Sequence, residues 1–175
     1  MGTQHERLES HHGVFMNVAG YGVLIIGSPA IGKSSLALEL LSHQHQLIAD
    51  DVIDFYDTDN IICGHCPPLL SGLLHTRELG LISVTNVFGD QAWQSEYPLN
   101  YVVELTEHHD TNIDLFLERQ FYTVLDKAFP RLILSISTPI SLSSRLLCWL
   151  KMQENAYSAD NQLQQHPFTL LGITT

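Results

Sequence analysis

Gly27-Ser28-Pro29-Ala30-Ile31-Gly32-Lys33-Ser34 is the stretch on which the fold turns, because it matches the pattern G-x-x-x-x-G-K-[ST] in full. The chemistry needs each fixed position. The glycines let the backbone curl so that successive N–H groups point inward at phosphate oxygens. A helix starting at Lys33 adds its unpaired N-terminal amides and the positive end of its dipole. The lysine of such a loop, here Lys33, reaches the β- and γ-phosphates, and the hydroxyl of Ser34 coordinates Mg²⁺. Upstream, Gly22 to Ile26 is a compact apolar run rich in branched residues, as a buried strand is. Downstream, Leu36, Ala37, Leu40 and Leu41 recur at helical spacing between Lys33 and Ser42. Strand, loop and helix therefore follow in the order the motif requires. The expected ligand is ATP and the expected chemistry the movement of a phosphoryl group.

The next apolar segment, Leu47-Ile48-Ala49, reads as a short buried strand ending on Asp50-Asp51. After a phosphate-binding loop, an acidic residue at that place holds Mg²⁺ through water or takes a proton from the nucleophile. Adjacent side chains on a strand point to opposite faces, so the two carboxylates are expected to have different roles.

Further out, residues 1–11 are polar and expected to fray. Val14 to Val18 reads as a strand and Ala19-Gly20-Tyr21-Gly22 as a turn, with glycines where positive φ is needed. Val52 to Tyr56 and Asn60 to Cys63 flank Asp57-Thr58-Asp59 as a hairpin, and Cys66-Pro67-Pro68 breaks regular structure. Leu79 to Val84, Tyr101 to Leu105 and Arg131 to Ile136 read as strands, Asn112 to Ala128 and Leu142 to Met152 as helices. The tail from Gln153 is rich in Gln and Asn and is expected to be loosely ordered. With no internal repeat and no linker, residues 12–152 form one α/β domain with a mixed sheet, between a flexible N-terminus and a polar tail at 153–175.

Composition narrows the function. At 175 residues, 45% hydrophobic and 15% charged, the chain is long enough for one substantial core and too apolar for disorder over most of its length. The longest apolar runs, such as Val23 to Ile26 and Leu132 to Leu134, are too short to span a bilayer. Met1 to Gly13 has no basic region followed by an apolar stretch. No membrane partner is expected, and a cytoplasmic location follows by default. With 8 Lys+Arg against 19 Asp+Glu, the formal charge is −11, which argues against nucleic acid as a partner. The three lysines are Lys33, Lys127 and Lys151, and the first sits in the motif that requires one.

Three cysteines fit a reducing compartment. The spacing Cys63-Gly64-His65-Cys66 could supply half of a zinc site or a redox pair. A second ligand pair at comparable spacing is absent, so structural thiols are expected. The ten histidines, in patches such as His11-His12, His43/His45 and His108-His109, make no recognisable metal-binding spacing and read as surface residues.

Several separate motifs now stand in one order: His12-Gly13-Val14, Gly20-x-Gly22-Val23-Leu24-Ile25-x-Gly27, Ile31-Gly32-Lys33-Ser34, Leu47-Ile48-Ala49-Asp50-Asp51, Arg77-Glu78-Leu79-Gly80-Leu81-Ile82-Ser83-Val84, then Asn86-Val87-Phe88-Gly89 to Val102-Val103-Glu104-Leu105. In this order they resemble the catalytic domain of HPr kinase/phosphorylase, over roughly residues 11–106. That bacterial enzyme uses ATP to phosphorylate a serine on HPr, the small carrier protein of the sugar phosphotransferase system. The resemblance implies a phosphate-loop α/β domain like the core of phosphoenolpyruvate carboxykinase, without the family's separate N-terminal domain. It implies ATP and Mg²⁺ as cofactors, an HPr-like phosphocarrier or another hydroxyl-bearing substrate as partner, and a hexamer as the typical assembly. It also implies roles. His12 lies near the active site, Lys33 binds phosphate and Ser34 binds Mg²⁺. Asp51 is the base that deprotonates the substrate serine, with Asp50 its neighbour in the metal site. Arg77 stabilises charge on the transferring phosphate.

The sequence departs from the family pattern at several points. Ala30 stands where the loop usually has glycine, and Ser28 where it has an acidic residue. His75 replaces a metal-binding glutamate, and a neutral imidazole is a poorer Mg²⁺ ligand than a carboxylate. Glu78 replaces the glycine after the signature arginine. Ser137 to Ser144, where the loop tied to reverse phosphorolysis should fall, has no arginine, which counts against that reverse reaction. Arg119 stands near the place of another family arginine. The leading reading is a serine kinase of the HPr-kinase type. The second is a non-catalytic ATP- or ADP-binding sensor, motivated by His75 and the missing loop arginines. The third, a small-molecule kinase or NTPase sharing only the loop, lacks the arginine-rich lid such enzymes often carry.

Overall fold

Odd and even residues of the first two strands go to opposite cores. In β1 (Leu8–Val18), Val14, Met16 and Val18 are buried on one face and Phe15 on the other. In β2 (Tyr21–Gly27), Val23 and Ile25 join the first set and Leu24 the second. Such two-sided burial makes these strands near-continuous apolar runs. The protein is seen in a computed structural model that describes residues 7–108 and 120–165.

The remaining elements are α1 (Lys33–Ser42), β3 (Gln46–Thr58), β4 (Ile61–His65), β5 (Leu73–Thr76), β6 (Gly80–Ser83), α2 (Val84–Phe88), β7 (Glu96–Pro98), β8 (Tyr101–Thr106), β9 (Gln120–Val124), β10 (Lys127–Ser135) and α3 (Leu142–Gln165). An eight-stranded sheet runs β7-β4-β3-β1-β2-β8-β10-β9, and β5 and β6 form a separate two-stranded sheet. The pairs β2–β8 and β8–β10 are parallel and the others antiparallel, so the mixed α/β architecture expected from the sequence is the one observed.

Leu36, Ala37, Leu40 and Leu41 of α1 and Leu146 and Leu150 of α3 pack on one face, against Ile25, Val103 and Leu105. The opposite face holds Phe15, Leu24, Ile53, Phe55, Val102 and Val124, and among the residues whose side chains are described none of α1–α3 belongs to that cluster. The sheet covers this face by curling on itself. Its β9–β10 end returns to β1, where the Tyr122 hydroxyl and His11 Nδ1 lie 2.9 Å apart and Glu9 accepts from Leu125 N–H at 3.0 Å. Lys127 Nζ reaches the β3–β4 turn, donating to Asn60 O at 2.6 Å and pairing with Asp57, and Arg7 pairs with Asp126.

Three hairpins close through two-residue turns with positive φ at both positions: Ala19-Gly20, Asp59-Asn60 and Leu125-Asp126. This is the turn geometry whose twist matches that of the strands it joins.

The structure differs from the sequence reading in several places. Leu8 to His11 belong to β1 and do not fray. Leu47-Ile48-Ala49 does not stop at the aspartates but continues as the 13-residue β3. The hairpin turn lies at Asp59-Asn60, not at Asp57-Thr58-Asp59. Within the expected helix Asn112 to Ala128, residues 120–124 and 127–128 are strand, and residues 112–119, with Arg119, lie outside the described residues. The last helix runs on to Gln165, through much of the expected loose tail. Among the described residues, no helix is long and apolar enough to cross a membrane.

Candidate active site

The glycine-rich loop leaves the sheet where β2 ends at Gly27, at the carboxyl ends of the parallel strands β2, β8 and β10. Open α/β sheets bind ligands at that edge. Gly27 has φ of 148°, and a Cβ there would meet Ile31 Cγ2 and Leu105 O at 2.9 Å, so both conformation and space demand glycine. Ala30 also takes a positive φ, 64°, at the position where the sequence departs from glycine. Gly32, φ 115°, is the N-cap of α1, which has no side-chain cap and no acidic residue in its first turn. Its leading amides and positive dipole end are thus left for an anion. Ile31 is buried and anchors the loop in the core, while Ser28 and Pro29 are exposed. Lys33 Nζ folds back over the loop, donating to Gly27 O at 2.9 Å and Ser28 O at 3.0 Å.

Opposite the loop stands the β5–β6 hairpin, and between them lies a cleft of about 760 Å³. Ala30, Gly32, Lys33 and Ser34 line one wall, His75 and Arg77 the other. The structure therefore brings together Lys33, Ser34 and Arg77, which are far apart in sequence. Thr76, missed in the sequence reading, is buried and stiffens the hairpin tip: its Oγ1 accepts from Leu79 N–H at 3.1 Å and donates to Gly80 O at 3.2 Å. The signal was there, a threonine ahead of a turn that ends on glycine.

The two aspartates part company, as the strand argument requires. Asp50 is 8% exposed and accepts from His75 N–H at 2.7 Å. Burial pushes its carboxyl above the ordinary range, helped by the neighbouring Asp51 charge and opposed by the amides of His75 and Asp51. Asp51 has φ of 73° and an exposed side chain, with Oδ1 3.9 Å from Nδ1 of the equally exposed His12. That pair sits where β1 crosses β3, with Gly13 opposite Asp51 in the register. Asp50, Asp51 and His12 are not among the residues lining the cleft. Among the described residues, no group of three or more His, Cys, Asp or Glu side chains could hold a metal ion. Cys63 and Cys66 are free, and burial raises both thiols, Cys66 to about 11, which keeps them protonated and unreactive.

A mixed α/β domain with an uncapped helix N-terminus facing an arginine-bearing hairpin is the class that fold and cleft define. Comparison with known proteins narrows it. The family model of the HPr Serine kinase C-terminal domain matches residues 4–166, and the chain belongs to that family. The HPr kinase/phosphorylase of Cupriavidus metallidurans is 44% identical over 116 residues, 65% of this chain and 36% of the relative. That of Burkholderia cenocepacia is 37% identical over 134 residues, 75% of this chain and 42% of the relative. The chain thus spans well under half the length of these relatives. The solved structure of the Hpr(Ser) kinase/phosphatase from Coxiella burnetii superposes with a TM-score of 0.80 at 26% identity, covering 90% of this chain and 99% of that one.

Proposed function

We propose that the chain binds ATP with Mg²⁺ in the cleft and transfers the γ-phosphoryl group to a hydroxyl acceptor. The relatives' names point to an HPr-like protein as that acceptor, and the family description to a serine on it. The observation that carries this reading is the cleft itself, which sets Lys33 and Ser34 across from Arg77. Lys33 already has its amine over the loop carbonyls, where phosphate oxygens would compete for it. The amides of the loop and of the first turn of α1 orient the phosphates. Ser34 Oγ and the Asp50 carboxylate are hard oxygen donors that suit Mg²⁺. An ion shared with substrate phosphates needs few protein ligands. When bound, Mg²⁺ supplies charge neutralisation at the phosphate oxygens.

The acceptor oxygen forms its bond to phosphorus as the bond to the ADP oxygen breaks, and the hydroxyl proton passes to Asp51. Asp51 suits that role because it is exposed to an incoming protein, and His12 beside it helps to hold it in place. Arg77 balances the charge on the phosphoryl group in transit. The lack of arginine in Ser137 to Ser144 favours the kinase direction over phosphorolysis. A hexameric assembly and a cytoplasmic setting belong to the same proposal.

The test is Asp51→Asn. Transfer from labelled ATP to an HPr-like protein should fall by about 10²- to 10⁴-fold, the range for losing a general base, while nucleotide affinity stays near that of the wild type. Full transfer by the variant would remove Asp51 from the mechanism. A wild type that binds ATP but phosphorylates no natural acceptor would leave the sensor reading.

A further inference from the structure

The hairpin that carries Arg77 is a separate two-stranded sheet, so no ladder of backbone hydrogen bonds ties it to the main sheet. Leu74 and Ile82 pack into the core beneath it and hold it down. Its polar tie is the bond from His75 N–H to the Asp50 carboxylate, 2.7 Å. Among the described residues, no other hydrogen bond joins residues 73–83 to the eight-stranded sheet. The tie is directional and part-buried, running from an exposed His75 to the buried Asp50 carboxylate, and its loss leaves that carboxylate without this partner. From His75 the path to Arg77 is short and stiff. Thr76 is buried and braces the tip with two hydrogen bonds, so Arg77 moves with His75.

We propose that Asp50 is a positioning residue, whose buried carboxylate holds the β5–β6 hairpin through His75 N–H and thereby fixes where Arg77 stands over the glycine-rich loop. This role adds to the one assigned to Asp50 above and rests on the reading of the cleft as a nucleotide site. It acts through the backbone of residue 75, so the side chain at that position is free to vary. Asp50 therefore works on the phosphates whether or not a metal ion accompanies them.

The test uses the full chain and a fluorescent ATP analogue, titrated with Mg²⁺ and again with EDTA, with exchange of the His75 amide followed by NMR. Asp50→Ala should weaken analogue binding by about tenfold, the lower end for losing a charge-assisted hydrogen bond, in both conditions. Arg77→Ala should do the same, and in EDTA, where no metal role of Asp50 contributes, the double variant should be no weaker than either alone. The His75 amide should exchange slowly in the wild type and fast in Asp50→Ala. Asp50→Asn, which keeps an acceptor oxygen, should restore part of that protection and of the EDTA-condition affinity. A loss confined to Mg²⁺ conditions would make Asp50 a metal ligand only and overturn the proposal. Additive losses in the double variant in EDTA, or unchanged His75 exchange in Asp50→Ala, would overturn it as well. If the wild type bound no analogue, the nucleotide reading would fail separately. Arg77 reactivity toward phenylglyoxal in the wild type and in Asp50→Ala would then decide the tie, with equal reactivity refuting it.

Discussion

The two walls of the cleft are built by opposite means. The glycine-rich loop is specified locally: Gly27, Ala30 and Gly32 take positive φ, Ile31 is sunk in the core, and Lys33 closes on the carbonyls of Gly27 and Ser28. Its backbone conformation and its lysine contacts lie within eight residues of sequence, and the core and Leu105 of β8 only receive it. The β5–β6 hairpin depends on distant groups, above all a carboxylate 25 residues upstream. One wall is a rigid mould for an anion, and the other is a carried part whose placement is set from outside. A cleft of this kind can vary on one wall without disturbing the other. The departures from the family pattern expected from the sequence fall on both walls: Ser28 and Ala30, the latter at a φ of 64°, on the loop, and His75 and Glu78 on the hairpin.

The largest expected effect breaks the loop's chemistry and leaves the hairpin alone. Lys33→Ala should lower phosphoryl transfer by about 10³-fold, the scale for one preorganised donor, in a kinetic assay with labelled ATP. The hairpin tie, read by His75 amide exchange, should be untouched, and faster exchange would show that the walls are coupled through Lys33.

A smaller effect compares glycines across the cleft. Gly27→Ala meets both strain and a clash, and should destabilise by about 2–3 kcal/mol. Gly80, at the base of the hairpin turn with φ of 74°, has open space around its missing Cβ. Gly80→Ala should therefore lose only about 1 kcal/mol, the backbone term alone. Urea denaturation measures both, and equal losses would erase the distinction between mould and carried part.

The smallest effect concerns Asp50 as a titrating group. Its folded pKa is raised above the ordinary 3.8, chiefly by burial. Its contribution to stability is thus fully present below 3.8 and is lost as pH rises from there through the folded value. Relative to Asp50→Asn, the wild type should lose stability across that window in urea midpoints. Parallel curves for the two proteins would mean that burial does not strain the carboxylate.

The loop and α1 were legible because each residue answers a local demand, so the pattern carries its own geometry. Asp50 and Asp51 were legible as neighbours whose side chains part, because strand alternation separates them. What divides them in fact, the amide of His75, was not legible, since a backbone partner leaves no mark on the sequence. β5 was missed because Leu73–Thr76 is four residues long, below the length at which alternation speaks. The expected helix over Asn112 to Ala128 trusted apolar spacing, although Phe121, Tyr122, Thr123 and Val124 are aromatic or branched and suit a strand. The reach of α3 to Gln165 could have been read. Residues 142–165 contain no glycine or proline, and Gln, Glu and Ala are good helix formers.

The curl of the sheet onto its helix-free face has a consequence for how the chain reaches this structure. Three hairpins close over two-residue turns and can form early, but His11 meets Tyr122 across 111 residues and Glu9 meets Leu125 across 116. Contacts of such separation are slow to close. The return of the β9–β10 hairpin onto β1 is then the expected final step, and stopped-flow refolding should show Tyr122 reaching its native signal after the glycine-loop half has formed. Until that step Phe15, Ile53 and Phe55 would lack the cover that Tyr122, Val124 and Leu125 give them, an adhesive strip on an unfinished molecule. The first residues of β1 thus act as a latch, engaged only when the β9–β10 hairpin has come back to meet them.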